Sequence, residues 1–301
     1  MAHDHEQGQE RGHGHGHTHG HHHEDIDWAT MGPMLERNAE LAAPQNREIA
    51  AWLHQWQPEP TLIADVGSGS GSISFLLAGI FPKAEVIAVD PAQPLLERAR
   101  ARAAREGLTS RVGTLQAELP EGISELPPAD LLWIGRALHH VGDQQAALAA
   151  LADRLAPGGA IALLEGGLNP RSLPRDIGFG RPGLQTRFDL ADEKWFTRMR
   201  AELPGAKAVT EDWPGLITEA GLRHAGTRSF LLDLPAPLSD SARAHLVTEL
   251  SRRREMHADT LDADDLTTVD RLLDANDEQS LHHRPDVFLL SAQTVHVGVK
   301  G

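Results

Sequence analysis

Residues 61–71 read TLIADVGSGSG, an apolar run that passes directly into three glycines at alternate positions, Gly67, Gly69 and Gly71. Residues 84–90, AEVIAVD, repeat the apolar run and close on an acid, Asp90. Between the two, Ser72–Ile80 reads as a helix that ends near Pro82. Glycines at a strand-to-helix turn let backbone amides approach a ligand closely and tolerate positive φ. A carboxylate at the end of the next strand commonly binds ribose hydroxyls. A glycine pair alone is weak evidence; the loop, its strand–helix context and the following acid together point to a nucleotide-like ligand.

Outward from this stretch the same alternation continues. A helix over Pro94–Glu106 stops at Gly107, and further apolar runs follow at Arg111–Gln116, Asp130–Ile134 and Ala160–Leu164. The last is set off by the Pro157-Gly158-Gly159 turn, after an Ala/Leu-rich helix over Gln144–Leu155. Strands alternating with helices at this pitch predict an α/β fold, a doubly wound and mostly parallel sheet. Right-handed crossovers then place all strand C-termini on one edge, where ligands bind. Residues 58–168 form this core. Residues 28–57 read as an N-terminal helical cap, broken at Pro44. Residues 169–301 read as cap or lid segments plus two late strands, Arg228–Leu234 and Asp286–Val299. Within them, Asn169–Leu190 reads as a long loop, Glu193–Leu203 and Trp213–Ala220 as helices, and 239–276 as charged helix.

The chain has 301 residues, with 43 acidic against 28 basic side chains and a formal net charge of −15. A phosphate backbone needs clustered Lys and Arg, so nucleic acid is disfavoured as a partner and a small molecule favoured. No run approaches the ~18 apolar residues of a membrane helix, and the polar opening residues carry no secretory signal. Cysteine is absent, which removes disulfides and thiolate chemistry and fits a reducing, cytoplasmic location. Residues 1–27 carry nine of the 18 histidines and no apolar pattern, so a disordered tail is expected. Such a tail can take up a divalent metal adventitiously, since neutral imidazole is a common metal ligand; no metal site is expected in the fold itself.

A dinucleotide fingerprint would place its third glycine at position 72, which is Ser72. The loop is instead D-x-G-x-G-x-G, with Asp65 two residues before Gly67. A carboxylate there suits a ligand with an ammonium and a sulfonium better than a pyrophosphate. On the loop Asp65–Gly71, Asp90-Pro91, the segment Gln116-Ala117-Glu118, the segment Ala137-Leu138-His139-His140 and the turn Leu155–Gly159, the chain resembles class I S-adenosylmethionine-dependent methyltransferases. The resemblance implies a seven-stranded sheet with a reversed last strand. It also implies S-adenosylmethionine as cofactor and S-adenosylhomocysteine as product. Gly67, Ser68, Gly69 and Gly71 would wrap the methionine part, Asp65 would face its ammonium, and Asp90 with Pro91 would hold the ribose. Gln116 and Ala117 would flank adenine; many members have Asp where this chain has Gln116. Arg136 and His139 are further candidate cofactor contacts.

Methyl transfer needs a base only where the acceptor must lose a proton. Glu165, just past the fifth strand, is placed to orient a histidine from the fourth, and some O-methyltransferases of the family use a histidine of an L-H-H segment in this way. His140 and Glu165 match those positions, as base and orienting acid. The same segment equally serves in other members to shape the pocket or cap a helix. The reading is a methyltransferase acting on a small molecule, with O-methylation favoured over N or C, in specialised metabolism; a homodimer is left open. Two rival readings are a non-catalytic S-adenosylmethionine-binding regulator and a metal-handling protein acting through its histidine tail.

Overall fold

The computed structural model describes residues 28–301, with side chains from residue 32 onward. The histidine-rich segment, with its expected disorder and metal uptake, lies outside the described residues. Seven strands form one sheet: β1 (Leu62–Val66), β2 (Glu85–Asp90), β3 (Val112–Gln116), β4 (Ala129–Gly135), β5 (Leu155–Arg171), β6 (Arg223–Leu234) and β7 (Leu289–Val299). Their order is β3-β2-β1-β4-β5-β7-β6, and β7 runs antiparallel to both β5 and β6. The chain winds outward from β1 to β3, then returns to continue from β4. That reversal between β1 and β4 opens a crevice at the C-terminal edge of the sheet.

The sheet is covered on both faces, which is why its central strands read as unbroken apolar runs rather than alternating ones. In β4, Leu132 and Ile134 pack with Val66 and Leu163 under α5 (Gln144–Asp153) and α7 (Trp213–Glu219). Leu131 and Trp133 point the other way, with Ile63 and Leu164, toward α2 (Ala43–Leu53) and α3 (Ser72–Ile80). Each such side chain, fully removed from water, contributes roughly 1.5–3 kcal/mol. α1 (Trp28–Leu41) ends just before Pro44, which occupies the first turn of α2 and so starts that helix as much as it separates the two. α4 (Gln93–Glu106) ends on Gly107 in the left-handed conformation. Among the described residues no helix is long and apolar enough to cross a membrane.

Beyond the core the structure departs from the sequence reading in three places. β5 starts at Leu155, so the expected Pro157–Gly159 turn is instead an irregularity within the strand, and it does not stop at Leu164 but continues to Arg171, paired with the 11-residue β7. The expected long loop over 169–190 is cut short, because α6 begins at Leu184 and runs to Glu202. Leu184, Phe188 and Ala191 are at helical spacing and buried, but the intervening charges dilute the pattern. β6 begins at Arg223, five residues before the expected start, through a register shift at Gly226. Trp52 and Trp56 lie 3.4 Å from where a Cβ on Gly226 would sit, so a side chain there would pack directly on the two indole rings.

α6, α8 (Asp240–Met256) and α9 (Ala263–Leu273) surround a third apolar cluster built from Leu173, Phe188, Leu232, Leu246, Val269 and Leu272, among others. Its polar counterpart is Asp265, 1% exposed, which takes both a bidentate pair from Arg187 (2.6 and 2.8 Å) and a bond from Arg181 at 2.8 Å. Removing one partner of a buried charge network leaves the others uncompensated. Asp265→Ala is therefore expected to lower stability by about 3 kcal/mol in urea denaturation. A change below about 0.5 kcal/mol, the usual scale of surface substitutions, would show that the network adds nothing.

Candidate active site

The glycine loop is shaped by its own backbone. Gly67, Gly69 and Gly71 all have positive φ (72°, 55° and 79°). The amides of Gly67 and Ser68 both donate to the Val89 carbonyl, at 2.8 and 3.0 Å, which binds the loop to the end of β2. A Cβ on Gly67 would lie 2.5 Å from that of Ala137, so the loop is pressed against the segment after β4. Leu35 of α1 lies 3.8 Å from a Cβ built on Gly69, so α1 passes directly over the loop.

Asp90 holds this arrangement together: the Gly69 amide donates to Oδ2 at 2.8 Å and the Ala92 amide to Oδ1 at 2.9 Å. Beside it, the Gln116 side-chain amide donates to the Pro91 carbonyl at 3.0 Å, and the Ala117 amide to the Asp90 carbonyl at 3.3 Å. The expected ribose and adenine residues are thus one contiguous group at the ends of β2 and β3. Asp65 lies deeper, 2% exposed, below the loop. The Ser74 hydroxyl of α3 donates to its Oδ2 at 2.6 Å. Burial pushes the Asp65 carboxyl up to about 7, against the Ser74 bond, and the charge of Asp90 adds to the rise. Ser74 carried no signal in the sequence: it is one serine of several after the glycines.

On the other side of the crevice, Glu165 is 6% exposed and draws three N–H groups together. The Leu138 and His139 amides reach Oε1 at 3.0 and 3.4 Å, and His139 Nδ1 lies 2.9 Å from Oε2. Glu165 was expected to orient His140; the imidazole seen within hydrogen-bond distance of it is that of His139. Residues 138–140 form a single 3₁₀ turn, from which the His139 ring reaches the acid. The His140 ring stacks obliquely on that of His139, with centroids 4.2 Å apart. α6 closes over this turn. Arg200 donates to the carbonyls of His139 and Val141 at 2.9 and 2.6 Å, and the Phe196 ring lies 5.7 Å from that of His139.

Arg136 immediately follows β4 with φ 56°, alone among the described non-glycine residues in the left-handed region. Its amide donates to Leu164 O at 3.2 Å, which fixes the backbone in that state. With the Gln293 amide oriented to satisfy both groups, its oxygen accepts from Arg136 Nε at 3.1 Å and Nη2 at 2.7 Å. Gln293 is on β7, on the far side of β4 from the glycine loop.

Residues 63–159 match a family model described as a methyltransferase domain. That span contains the glycine loop, Asp90 and the His139 turn, and the sheet around it has the reversed last strand that the resemblance implied. Residues 63–159 are thus a methyltransferase domain, as the resemblance to class I S-adenosylmethionine-dependent methyltransferases implied. Among its relatives, trans-aconitate 2-methyltransferase of Streptomyces coelicolor is 32% identical over 190 residues, 62% of this chain. The match spans only 58% of that protein's own length. The enzyme of the same name from an Acidovorax species is 26% identical over 240 residues, 71% of this chain and 86% of its own. Of solved structures, the YcgJ protein of Bacillus subtilis has a TM-score of 0.48 at 17% identity, over 84% of this chain and 98% of its own.

Members of this methyltransferase family use S-adenosylmethionine as methyl donor and release S-adenosylhomocysteine. The residues present fit that group. Asp65 is a buried carboxyl with a hydroxyl but no cation beside it among its hydrogen-bond partners, the setting in which a ligand ammonium gains most. The glycine loop above it is open to close backbone approach.

Proposed function

We propose that this methyltransferase moves the methyl group of S-adenosylmethionine to an oxygen of a small-molecule acceptor. The observation that carries the reading is Glu165 fixing His139 at the edge of the sheet, one strand beyond the glycine loop. Gly67–Gly71 would hold the methionine part over Asp65, Asp90 the ribose, and Gln116 with Ala117 the adenine. S-adenosylmethionine supplies a methyl carbon activated by a sulfonium that leaves as a neutral thioether. The carboxylate can only accept, so His139 donates from Nδ1 and carries its lone pair on Nε2. That nitrogen takes the proton of an acceptor hydroxyl as its oxygen becomes the nucleophile. α1 above the loop and α6 above the His139 turn restrict water, which favours transfer over side reactions.

A second reading is favoured by the relatives' name. An acceptor that, like aconitate, offers an already ionised carboxylate needs no base, and His139 would then serve only to shape the pocket.

Calorimetry is expected to show binding of S-adenosylmethionine and S-adenosylhomocysteine and none of NAD. Asp90→Ala removes charge-assisted bonds to ribose and loosens the loop at Gly69, so affinity should fall by roughly 1.5–3 kcal/mol. Binding of NAD, or an Asp90 variant with unchanged affinity, would overturn the cofactor reading. Transfer of labelled methyl to an acceptor then separates an enzyme from a protein that only binds.

A further inference from the structure

Cofactor and acceptor divide the sheet edge between them. Asp65 lies one residue before the end of β1, and Asp90 and Gln116 end β2 and β3, all on one side of the reversal point. Arg136 ends β4, and its side chain is engaged by Gln293 of β7, on the other side. The sequence reading counted Arg136 among cofactor contacts; its direction turns it toward the remaining half of the crevice.

Most charges on that half are matched inside the protein; Arg37 of α1, whose charge acts on His245, and Arg136 form no ion pair among the described residues. Glu165 is occupied by the Leu138 and His139 amides and His139 Nδ1. Glu249 of α8 takes Arg252 at 3.2 Å. Arg200 is spent on the carbonyls of His139 and Val141. Arg136 has a neutral amide, that of Gln293, as its side-chain partner. Its side chain is exposed to solvent at the C-terminal edge of the sheet. Desolvation lowers its pKa, and Glu165 and Glu249 act against that at a distance, but a guanidinium stays charged throughout. One turn before Glu249 on α8, His245 is 6% exposed with no hydrogen-bond partner at Nδ1.

We propose that Arg136, held in the left-handed conformation after β4 and aimed by Gln293, binds a carboxylate of the methyl acceptor. The planar fork of arginine pairs with a carboxylate through two parallel bonds, which fixes orientation as well as position. The acceptor is then an organic acid, and the oxygen to be methylated is placed by the anchor relative to His139. This rests on the methyltransferase reading.

The test uses the full chain saturated with S-adenosylhomocysteine and titrated with simple mono-, di- and tricarboxylates, trans-aconitate included, and with the corresponding carboxamides. At least one carboxylate is expected to bind tenfold or more tightly than its amide. Arg136→Asn should abolish that preference; asparagine tolerates the left-handed backbone, so folding is spared. Gln293→Glu should abolish it as well, by giving Arg136 an internal carboxylate while leaving the arginine in place. S-adenosylhomocysteine affinity should stay within twofold in both variants. Equal binding of acids and amides by the parent, or a preference that survives Arg136→Asn, overturns the anchor. Loss of S-adenosylhomocysteine affinity in step with the carboxylate would return Arg136 to the cofactor. Failure of the parent to bind S-adenosylhomocysteine is a separate result that removes the methyltransferase reading, and the carboxylate titration without it still reads Arg136.

Discussion

Asp65→Asn is expected to make the ligand-free protein more stable at neutral pH and to weaken its hold on S-adenosylmethionine. The folded-state pKa of about 7 lies well above the ordinary value of 3.8. The folded protein therefore binds this proton more readily than the unfolded chain does. The stability that comes from holding the proton is complete below the unfolded value and is lost as pH rises through the folded one. Each pH unit between the two values costs about 1.4 kcal/mol. From pH 5 to pH 8 the parent should fall relative to the variant by about 2–3 kcal/mol, most of it before pH 7. Asparagine retains an oxygen for Ser74 and has no proton to lose, so the difference isolates this carboxyl from the other acids. In the parent, an ammonium at the loop favours the ionised form, so S-adenosylmethionine affinity should rise between pH 5.5 and 7. In the variant it should be tenfold or more weaker and flat. Paired urea denaturation and calorimetry across that range decide it. A variant less stable than the parent at pH 8 would mean that Asp65 is already ionised and paired in the ligand-free protein.

This trade of stability for binding was half legible in the sequence. The position of Asp65 before the glycines is a local pattern, and so are the strands and helices that frame it. Punctuation by Gly67–Gly71, Pro82 and Gly107 marked them. What could not be read was depth. Whether a carboxyl near the end of β1 meets water or the Ser74 hydroxyl depends on how α3 packs, and no spacing rule carries that. The cap was least legible for a related reason. Its apolar cluster draws on Leu173, Phe188, Leu232, Leu246 and Leu289, residues scattered over five segments with charges between them. Each segment alone falls short of a clear helix or strand period, and only their meeting makes a core. Arg136 and Gln293 illustrate the limit at the site. Both are visible as polar residues near strand ends, but their partnership exists only because β7 returns beside β5.

His139→Ala is expected to lower kcat by about 10²–10⁴-fold on a hydroxyl acceptor, with S-adenosylmethionine affinity nearly unchanged. His140→Ala should cost less than tenfold, because the ring that Glu165 orients is that of His139. The decisive variant is Glu165→Gln. A glutamine oxygen can still accept from the Leu138 amide, so the turn is kept. Its side-chain NH₂, however, faces His139 Nδ1 and favours the tautomer with the proton on Nε2. The nitrogen meant to take the acceptor proton would then already carry one. Loss of turnover should approach that of His139→Ala, although the ring is still in place. A merely structural acid would give a different pattern, with altered stability and little change in the pH profile of kcat. The outcome with His140 carrying the large effect would restore the assignment that the L-H-H resemblance suggested and leave Glu165 as a brace for the turn. If neither histidine matters and an organic acid is still methylated, the nucleophile is a carboxylate that arrives already ionised. Placement by Arg136 and exclusion of water would then supply the catalysis.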